Sequence, residues 1–443
     1  MIPNIFKAYD IRGLVGSELT KQFAFSTGVA FAKFLELERE PATVVIGEDM
    51  RPSSPELAEA FSAGVTSQGL DVIRIGLAST DMLYFAAGKL NLPGAMFTAS
   101  HNPAEYNGIK LCLSGARPIG KESGLLTIEK FVREGVPVSL RPIGIENHRE
   151  MLQDYVDHLL TLVDVSAIRK LNVVVDAGNG MAGHTAPAVF SRMNVEVTQM
   201  YYELDGTFPN HEANPIDEAN LADLKEMVKK KKADIGLAFD GDADRCFLVD
   251  EKGNAVNPSL LTALIADREL QKKPGSPIIY NLISSRAVKE VVEENGGKPL
   301  RSRVGHSFIK AMMAESGAIF GGEHSGHFYF ADFWRADSGM LAALHAIAAL
   351  GTSEKTLSQL LAPYARYFAS GEINSKVSDS KAIMAGIKAT YGSKPGVTTD
   401  ELDGLTVDGD TWWFNVRASN TEDRKSTRLN SSHTDISRMP SSA

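Results

Sequence analysis

Three aspartates at alternate positions carry the strongest chemical signal in this sequence. Asp240, Asp242 and Asp244 follow a strand-like apolar run in the segment IGLAFDGDADRC (235–246). Carboxylates this close repel one another unless a cation neutralises them, and oxygen ligands suit Mg²⁺ or Ca²⁺. An EF-hand is excluded because Arg245 stands at the sixth position, where that loop requires glycine, and because a strand precedes the loop. The segment predicts a hard-metal site or a solvated acidic turn, and Arg245 adds a cation that can grip a phosphate.

A second segment, TASHNPAEYNGIK (98–110), places a serine and a lysine near the end of a strand. It follows the apolar run 95–97, and open α/β sheets bind ligands at the carboxyl ends of their strands. We therefore expect a turn-rich loop that exposes the hydroxyl of Ser100, beside His101 and ahead of Lys110. The alternative is a serine that caps a helix or a turn. No G-x-S-x-G sequence surrounds it, which argues against a hydrolase triad.

A glycine-rich segment, FGGEHSGHFYF (320–330), alternates three polar side chains. Glu323 and Ser325 can hydrogen-bond adjacent sugar hydroxyls, while His327 can donate or accept a proton. An ordinary hairpin turn is the alternative. A zinc site at His324 and His327 would lack both cysteine partners and an H-E-x-x-H context.

The segment VRASNTE (416–422) combines a cation, hydroxyls and an amide in one loop. The residues concerned are Arg417, Ser419, Asn420 and Thr421. Together they form a plausible phosphate cradle, although serine, asparagine and threonine are equally typical of a capping turn.

Two shorter segments offer supporting residues. RVGHSFIK (303–310) is typical of a turn that enters a helix, and His306 is either a ligand group or a packed side chain. KAYDIRG (7–13) offers Tyr9 and Arg12, whose alternative roles are an edge-strand tyrosine and a surface arginine.

The elements that must position these residues alternate between strands and helices. The order strand, helix, strand is expected three times. The first unit has 42–47, 54–67 and 71–76, the second has 171–178, 182–192 and 195–200, and the third has 277–283, 285–294 and 298–302. Such alternation predicts an α/β fold of three similar domains with mixed or mostly parallel sheets. A helix near 380–391 and the alternating run 411–417 predict a smaller C-terminal α+β domain. The expected boundaries are 1–145, 146–254, 255–366 and 367–422, with 423–443 as a separate tail.

The composition is ordinary for a soluble protein of 443 residues, with 43% hydrophobic and 23% charged residues. A formal net charge of −9 argues against a general nucleic-acid or anionic-membrane binder, whose footprint is basic. Two cysteines cannot form a disulfide framework, so a cytoplasmic location is expected. The first residues are too short an apolar patch for a signal peptide, and the apolar run 338–351 is too short to span a bilayer.

Taken together, these segments specify a serine, a hard-metal site, a hydroxyl-binding loop and a phosphate loop, one in each predicted domain. That combination points to phosphoryl transfer on a phosphosugar. At this level the chain resembles the α-D-phosphohexomutase superfamily, and within it the bacterial phosphomannomutase/phosphoglucomutase group, from Phe6 to Glu422. The motifs TASHNP, DGDADR and GEHSGH carry the resemblance, which implies a central active-site cleft between the four domains.

The resemblance implies a role for each candidate residue. Ser100 is similar to the phosphoserine of the family and, with Asp240, Asp242 and Asp244, to its Mg²⁺ ligands. Lys110 and His327 resemble the acid/base candidates, and Arg12, His101 and Arg245 complete the expected catalytic set. The expected substrate-binding set is Tyr9, His306, Glu323, Ser325, Arg417, Ser419, Asn420 and Thr421.

The implied reaction has two transfers through a hexose 1,6-bisphosphate, which serves as intermediate and activator and turns end for end in the cleft. Glucosamine-specific relatives resemble GEQSGH where this chain has His324, so mannose is favoured and glucose remains an option. Relatives often carry a lysine where this chain has Ile283, which puts a secondary substrate contact in doubt. No nucleic acid, membrane or obligate protein partner is implied.

Three other functions remain open at the level of sequence. One is a phosphoglucosamine mutase, another is a catalytically impaired phosphosugar-binding protein, and the third is a phosphatase whose phosphoserine reacts with water. The second follows from the composition of the tail 423–443, which has six serines and four apolar residues. We expect the tail to be non-native sequence that replaces the end of a truncated fourth domain, to be disordered, and to pack against nothing.

Overall fold

The computed structural model describes residues 5–418 and 427–432. Contacts divide the chain into two compact units. The first unit runs to Val256 and includes Ser325–Ser358, and the second consists of Asn257–His324 and the chain from Gln359. Among the described residues, no helix combines the length and the apolar character that crossing a bilayer requires.

The N-terminal part of the first unit is built on a seven-stranded mixed sheet. Its elements are β1 (Ile11–Leu14), α1 (Lys21–Leu37), β2 (Thr43–Glu48), α2 (Ser54–Ser67), β3 (Asp71–Leu77), α3 (Thr80–Leu90), β4 (Gly94–Phe97), β5 (Tyr106–Leu113), β6 (Arg117–Pro118), α4 (Leu126–Glu134) and β7 (Glu146–His148). The strand order is β1-β5-β4-β2-β3-β7, with β6 beside β5. β4, β2, β3 and β7 are parallel, whereas β5 runs antiparallel to both β1 and β4.

Two glycines allow α1 and α2 to cross at very short range. A Cβ atom at Gly28 would lie 2.2 Å from the carbonyl oxygen of Phe61, and one at Gly64 would lie 2.2 Å from that of Phe25. No side chain larger than hydrogen fits either position without moving a helix backbone. The crossing closes the core around the buried Phe31, Phe61 and Phe97.

The rest of the first unit up to Val256 forms a four-stranded sheet. Its elements are α5 (Leu152–Leu162), β8 (Leu171–Asp176), α6 (Ala182–Phe190), β9 (Val195–Met200), α7 (Ala222–Lys231), β10 (Ile235–Phe239) and β11 (Cys246–Val249). The order is β11-β10-β8-β9, with β10, β8 and β9 parallel and β11 antiparallel to β10. The predicted strand 195–200 coincides with β9.

The third group of elements begins in the second unit. Its elements are α8 (Pro258–Lys272), β12 (Pro277–Asn281), α9 (Arg286–Glu294), β13 (Lys298–Ser302), α10 (His306–Ser316), β14 (Phe320–Gly322), β15 (Phe328–Phe330), β16 (Ala336–Asp337), α11 (Gly339–Gly351) and α12 (Leu357–Leu361). In the second unit β13, β12 and β14 are parallel, and in the first unit β15 and β16 are antiparallel. The predicted α/β class is confirmed, with three α/β domains of mixed sheets and a small C-terminal β-rich domain.

The C-terminal group has a five-stranded sheet in the order β17-β21-β20-β19-β18. Its elements are β17 (Glu372–Val377), α13 (Ser380–Gly392), β18 (Thr398–Asp400), β19 (Leu405–Asp408), β20 (Trp413–Ala418) and β21 (Thr427–Ser432). All four strand pairs are antiparallel.

Strand β21 corrects the prediction for the tail. Residues 427–432 are not an unpaired segment but lie between β17 and β20 and pair with both. The backbone amide and carbonyl groups of those two strands need partners, and any extended segment without proline can supply them whatever its side chains. The remainder of the tail lies outside the described residues.

A buried carboxyl connects three helices of the first unit. Asp81, in the first turn of α3, accepts hydrogen bonds from Tyr155 of α5 at 2.7 Å, from Ser338 before α11 at 2.6 Å, and from Ser79. Burial raises the pKa of Asp81 to about 6, although these three hydroxyls oppose the shift. Burial therefore favours the protonated carboxyl in the folded chain, whereas the three hydroxyl donors favour the ionised form.

We expect titration of Asp81 to lower the free energy of unfolding as the pH rises. The pKa of Asp81 in the folded chain lies above its ordinary value of 3.8. The stabilisation by protonated Asp81 is therefore complete below about pH 4 and is lost as the pH passes 6. A shift of this size corresponds to about 3 kcal/mol. Thermal unfolding of wild type and Asp81→Asn should show a difference in midpoint that changes between pH 4 and 7 and is level above 7. A constant difference over that range would contradict the assignment.

Candidate active site

The three aspartates lie in a tight loop between β10 and β11. Phe239 pairs with Cys246, so Asp240–Arg245 form the connection between two antiparallel strands. Within the loop the amide of Arg245 donates to Asp240 Oδ1 at 3.1 Å, and Ala243 adopts a left-handed φ of 59°. All three aspartates are buried. Because a buried charge is costly unless it is paired, nearby groups must neutralise these carboxylates.

Two cationic side chains neutralise part of the charge of these aspartates. Lys110 Nζ donates to Asp242 Oδ2 at 2.7 Å and to Asp244 Oδ2 at 2.6 Å, while Arg245 Nε donates to Asp240 Oδ2 at 2.8 Å. Three carboxylates therefore face two cationic groups, and this cluster retains one uncompensated negative charge when all five are ionised.

The ionisation of these groups reflects that balance. Burial raises the pKa of Asp240, with Arg245 opposing the shift. Burial alone would also raise the pKa of Asp242. The ammonium of Lys110 and the hydroxyl of Thr80 have a larger opposite effect, so the pKa of Asp242 lies below its ordinary value. Burial alone would lower the pKa of Lys110, yet the carboxylates of Asp242 and Asp244 hold it well above its ordinary value.

The cluster fits a metal ion by its own chemistry. Asp240, Asp242 and Asp244 each have a carboxylate oxygen within 4.8 Å of the others. Asp242 Oδ1 and Asp244 Oδ1 are buried and accept no hydrogen bond from any residue that the structure describes. Buried carboxylate oxygens with free lone pairs and excess negative charge are what a hard divalent cation requires.

Ser100 lies against this cluster. Its Oγ donates to Asp240 Oδ2 at 2.9 Å, and a Cβ atom at Gly241 would lie 2.4 Å from the Ser100 carbonyl oxygen, so the two loops touch at a glycine. The expectation of an exposed hydroxyl is wrong, because Ser100 is only 5% exposed. Packing against the aspartate loop covers it.

His101 is a second neighbour of the serine hydroxyl. Its Nδ1 is 3.2 Å from Ser100 Oγ. Burial, reinforced by the cations of Arg245 and Arg12, lowers the pKa of His101 well below its ordinary value. The imidazole beside the serine is therefore neutral and can share a proton with the hydroxyl.

His327 approaches from the segment before β15. Its backbone pairs with Arg245, its Nε2 is 3.6 Å from Asp244 Oδ1, and its Nδ1 is 3.0 Å from Ser325 Oγ. The first unit thus brings Ser100, Lys110, His327 and the three aspartates together.

Arg12 and Tyr9 lie at the N-terminal edge of the same unit. Arg12, on β1, donates to Asn102 of the serine loop and pairs with Asp10. Arg12 is therefore tied to the serine loop, which replaces the alternative of a free surface arginine. Tyr9 is partly buried just before β1.

The second unit holds the remaining candidates. Glu323, which is 2% exposed, accepts from the amide of Gly305 at 3.1 Å and from Asn281 Nδ2 at 3.4 Å. The predicted turn into a helix is confirmed, since His306 is the first residue of α10. Glu323 is thus anchored to the residue that precedes His306.

The candidate phosphate loop is described only in part. Arg417 lies on β20, opposite Asn430 of β21, and is partly buried. Ser419, Asn420 and Thr421 lie outside the described residues, so the geometry of the cradle stays a prediction.

Comparison with known proteins identifies the family. Residues 3–136, 153–253 and 257–367 match the α/β/α domains I, II and III of phosphoglucomutase/phosphomannomutase. A phosphohexose mutase of Xanthomonas campestris pv. campestris (strain B100) is 41% identical over 94% of this chain and 92% of its own length. This chain belongs to the phosphoglucomutase/phosphomannomutase family. It is thereby a member of the α-D-phosphohexomutase superfamily.

Two further relatives agree with this family. A phosphomannomutase of Vibrio cholerae serotype O1 is 38% identical over 94% of this chain and 92% of its own length. The crystal structure of a phosphoglucomutase/phosphomannomutase family protein from Burkholderia thailandensis superposes with a TM-score of 0.89 at 31% identity, covering 98% of this chain and 94% of that one.

One residue that supports the site of this phosphohexomutase was missed at the level of sequence. Thr80, in the first turn of α3, donates through its hydroxyl to Asp242 Oδ2 at 2.6 Å and through its amide to the Asp242 carbonyl at 3.0 Å. The run Ser79–Thr80–Asp81 after β3 predicts only the start of a helix. Its contact with Asp242 lies far away in sequence, and no local pattern could have found it.

Replacing Thr80 with valine is expected to weaken binding of a divalent cation at the three aspartates about 10-fold or more, because partners that orient ligating carboxylates contribute about 10–100-fold to metal affinity. Titration calorimetry with Mg²⁺ measures this directly. Thr80→Ser keeps the hydroxyl and should bind Mg²⁺ like wild type. Equal affinity of the valine variant and wild type would show that the hydrogen bond does not orient Asp242.

Proposed function

We propose that this chain interconverts hexose 1-phosphates and hexose 6-phosphates, with mannose favoured and glucose an alternative. The observation that carries the proposal is the contact of Ser100 Oγ with Asp240 Oδ2 at 2.9 Å, at the edge of a carboxylate cluster in a phosphohexomutase chain. A hydroxyl held against such a cluster is suited to carry a phosphoryl group.

In the first transfer, phosphorylated Ser100 gives its phosphoryl group to the free hydroxyl of the hexose phosphate. The bond between phosphorus and Ser100 Oγ breaks as a bond to the sugar oxygen forms. The proton of the sugar hydroxyl passes to a base, and the leaving Ser100 Oγ takes up a proton from an acid. In the second transfer the bond between the other phosphorus of the hexose 1,6-bisphosphate and its sugar oxygen breaks as a bond to Ser100 Oγ forms. The serine proton passes to the base, and the sugar oxygen takes up a proton. The bisphosphate is therefore both intermediate and activator.

Asp240, Asp242 and Asp244 would hold Mg²⁺ together with an oxygen of phosphorylated Ser100. When bound, Mg²⁺ offsets charge on the transferring phosphoryl group. Arg245 is buried beside the same oxygens and adds a fixed positive charge. In phosphoryl transfer such positioning and charge neutralisation supply most of the catalysis.

His327 and Lys110 divide the proton chemistry. Lys110 remains an ammonium because two carboxylates raise its pKa, so it carries a proton and neutralises charge beside Asp242 and Asp244. A neutral imidazole nitrogen can accept a proton, and His327 is adjacent to Asp244 and Ser325. We therefore assign the role of base to His327.

The second unit would bind the sugar and its stationary phosphate. The buried carboxylate of Glu323 would accept hydrogen bonds from sugar hydroxyls, and the hydroxyl of Ser325 is able to donate or accept one. Arg417, with Ser419, Asn420 and Thr421, would hold the phosphate that does not react. His306 and Tyr9 are further candidates for substrate contacts. His324, where glucosamine-specific relatives resemble a glutamine, favours mannose over glucosamine.

The experiment is a side-by-side assay of the purified chain with Mg²⁺ and a trace of hexose 1,6-bisphosphate. Mannose 1-phosphate, glucose 1-phosphate and glucosamine 1-phosphate are offered separately, and both the 6-phosphates and free phosphate are measured. We expect turnover of mannose 1-phosphate above that of the other two. Absence of turnover on all three contradicts the proposal, and free phosphate released in step with sugar consumption indicates a phosphatase instead.

We also infer that the chain works in the cytoplasm without an obligate protein partner. Cys112 and Cys246 are buried free thiols, which fits a reducing compartment.

A further inference from the structure

The most heavily engaged arginine of the first unit is not among the expected site residues. Arg51, in the short connection between β2 and α2, is 1% exposed. Its Nη1 donates to the carbonyl oxygens of Pro103 and Tyr106, both at 2.8 Å. Its Nη2 donates to those of Ser100 at 3.0 Å and Asn102 at 2.7 Å. One guanidinium therefore binds four carbonyl groups of a single loop.

That loop needs external support. Ser100 has a φ of 52°, a left-handed conformation that residues other than glycine adopt only under constraint. Within the loop the amide of Asn102 bonds the carbonyl of Ala99, and the amide of Ser100 bonds Thr98 Oγ1. These local bonds form a turn but do not connect it to the rest of the sheet, whereas Arg51 does.

The guanidinium is itself held in place from its other sides. Arg51 Nε lies 3.3 Å from Asp49 Oδ2, and Asp49 Oδ1 accepts from the hydroxyl of Ser54 at 2.6 Å. Arg51 Cζ lies over the ring of Phe208, 5.1 Å from the centroid of the ring. A Cβ atom at Gly206 would lie 2.6 Å from Arg51 Cα, so the turn containing Gly206 and Phe208 packs directly on this residue.

We propose that Arg51 is a positioning residue for the serine nucleophile. It fixes the Ser100–Tyr106 loop through four carbonyl oxygens and so aims Ser100 Oγ at Asp240. The inference rests on the proposed role of Ser100 as the carrier of the phosphoryl group. Only a planar group with donors on both terminal nitrogens reaches all four oxygens, which a lysine ammonium cannot do.

The test compares Arg51→Lys with wild type in the full chain. We expect kcat to fall about 10–100-fold with KM within about threefold, because small misplacement of a reacting group costs rate more than binding. Amide hydrogen exchange across residues 98–106, followed by mass spectrometry, should be faster in the variant. This second readout requires no substrate.

Arg74→Lys is the matched control. Arg74 is also buried in the first unit, but its ion pairs are with Glu48 and Glu146. The Arg74→Lys variant should lower the midpoint of thermal unfolding as Arg51→Lys does. Its kcat and the amide exchange of residues 98–106 should stay at wild-type values. A loss of stability alone in Arg51→Lys, with kcat and exchange unchanged, overturns the inference.

The outcomes separate the two hypotheses. If wild type shows no turnover, the proposed function fails, and exchange of residues 98–106 still decides the role of Arg51. If Arg51→Lys does not fold, Asp49→Asn carries the test, since it removes the charge that holds the guanidinium at Nε and should loosen the contacts of Arg51 with the loop. Wild-type kcat and exchange in Asp49→Asn would then overturn the inference.

Discussion

Replacing Ser100 with alanine is expected to reduce turnover of mannose 1-phosphate by at least about a thousandfold, because the nucleophilic oxygen is lost altogether. The variant should also gain no phosphoryl group when incubated with hexose 1,6-bisphosphate. Steady-state kinetics and intact-protein mass spectrometry measure the two effects. The change removes one hydroxyl whose described partners are Asp240 and His101, so the fold and the binding of Mg²⁺ by the three aspartates should persist.

Ser67→Ala is a suitable control for this experiment. Ser67 ends α2, and its hydroxyl bonds the carbonyl of Gly64 at 2.7 Å within the same helix. It should turn over substrate like wild type and accept a phosphoryl group on Ser100. A Ser100→Ala variant that is still phosphorylated, or that keeps wild-type turnover, would place the phosphoryl group on another residue.

Replacing Asp242 with asparagine should lower both Mg²⁺ affinity and kcat by at least about 100-fold, since a charged metal ligand is lost. The substitution keeps the shape of the side chain and leaves one oxygen to accept from Lys110 and Thr80. Calorimetric titration with Mg²⁺ and steady-state kinetics check the prediction. Treatment of wild type with a chelator should likewise abolish turnover, and excess Mg²⁺ should restore it.

The control for Asp242 is an exposed aspartate of the same unit. Asp164 caps a turn by accepting from the amide and hydroxyl of Ser166 at 2.9 and 2.7 Å. Asp164→Asn should bind Mg²⁺ and turn over substrate like wild type. Wild-type Mg²⁺ affinity in Asp242→Asn would rule out the aspartate loop as the metal site.

Much of the local structure could be predicted from sequence because it depends on local pattern. The helix 54–67 begins beside a proline and carries apolar residues at helical spacing, and α2 has the same bounds. The strand 298–302 likewise coincides with β13. Three aspartates at alternate positions after a strand could also be recognised as a cluster, because their mutual repulsion is evident from spacing alone.

The contacts that complete the site could not be predicted in this way. Thr80 meets Asp242, and Arg51 meets the Ser100 loop, across separations of 162 and 49 residues. The residues next to Thr80 and Arg51 in the sequence do not indicate either contact. The burial of Ser100 likewise depends on a residue distant in sequence, Gly241. The pairing of residues 427–432 depends on the edges of two other strands, which the composition of the tail does not reveal.

The parallel strands β4, β2 and β3 are neighbours, and their carboxyl ends deliver Ser100, Arg51 and Thr80 to one edge of the sheet. The opposite edge of the same sheet carries none of these residues. Its connection between α1 and β2 is exposed at Glu38 and Arg39. A fluorescent label or a short insertion attached there would report on the protein from a place where its catalytic loops are not disturbed.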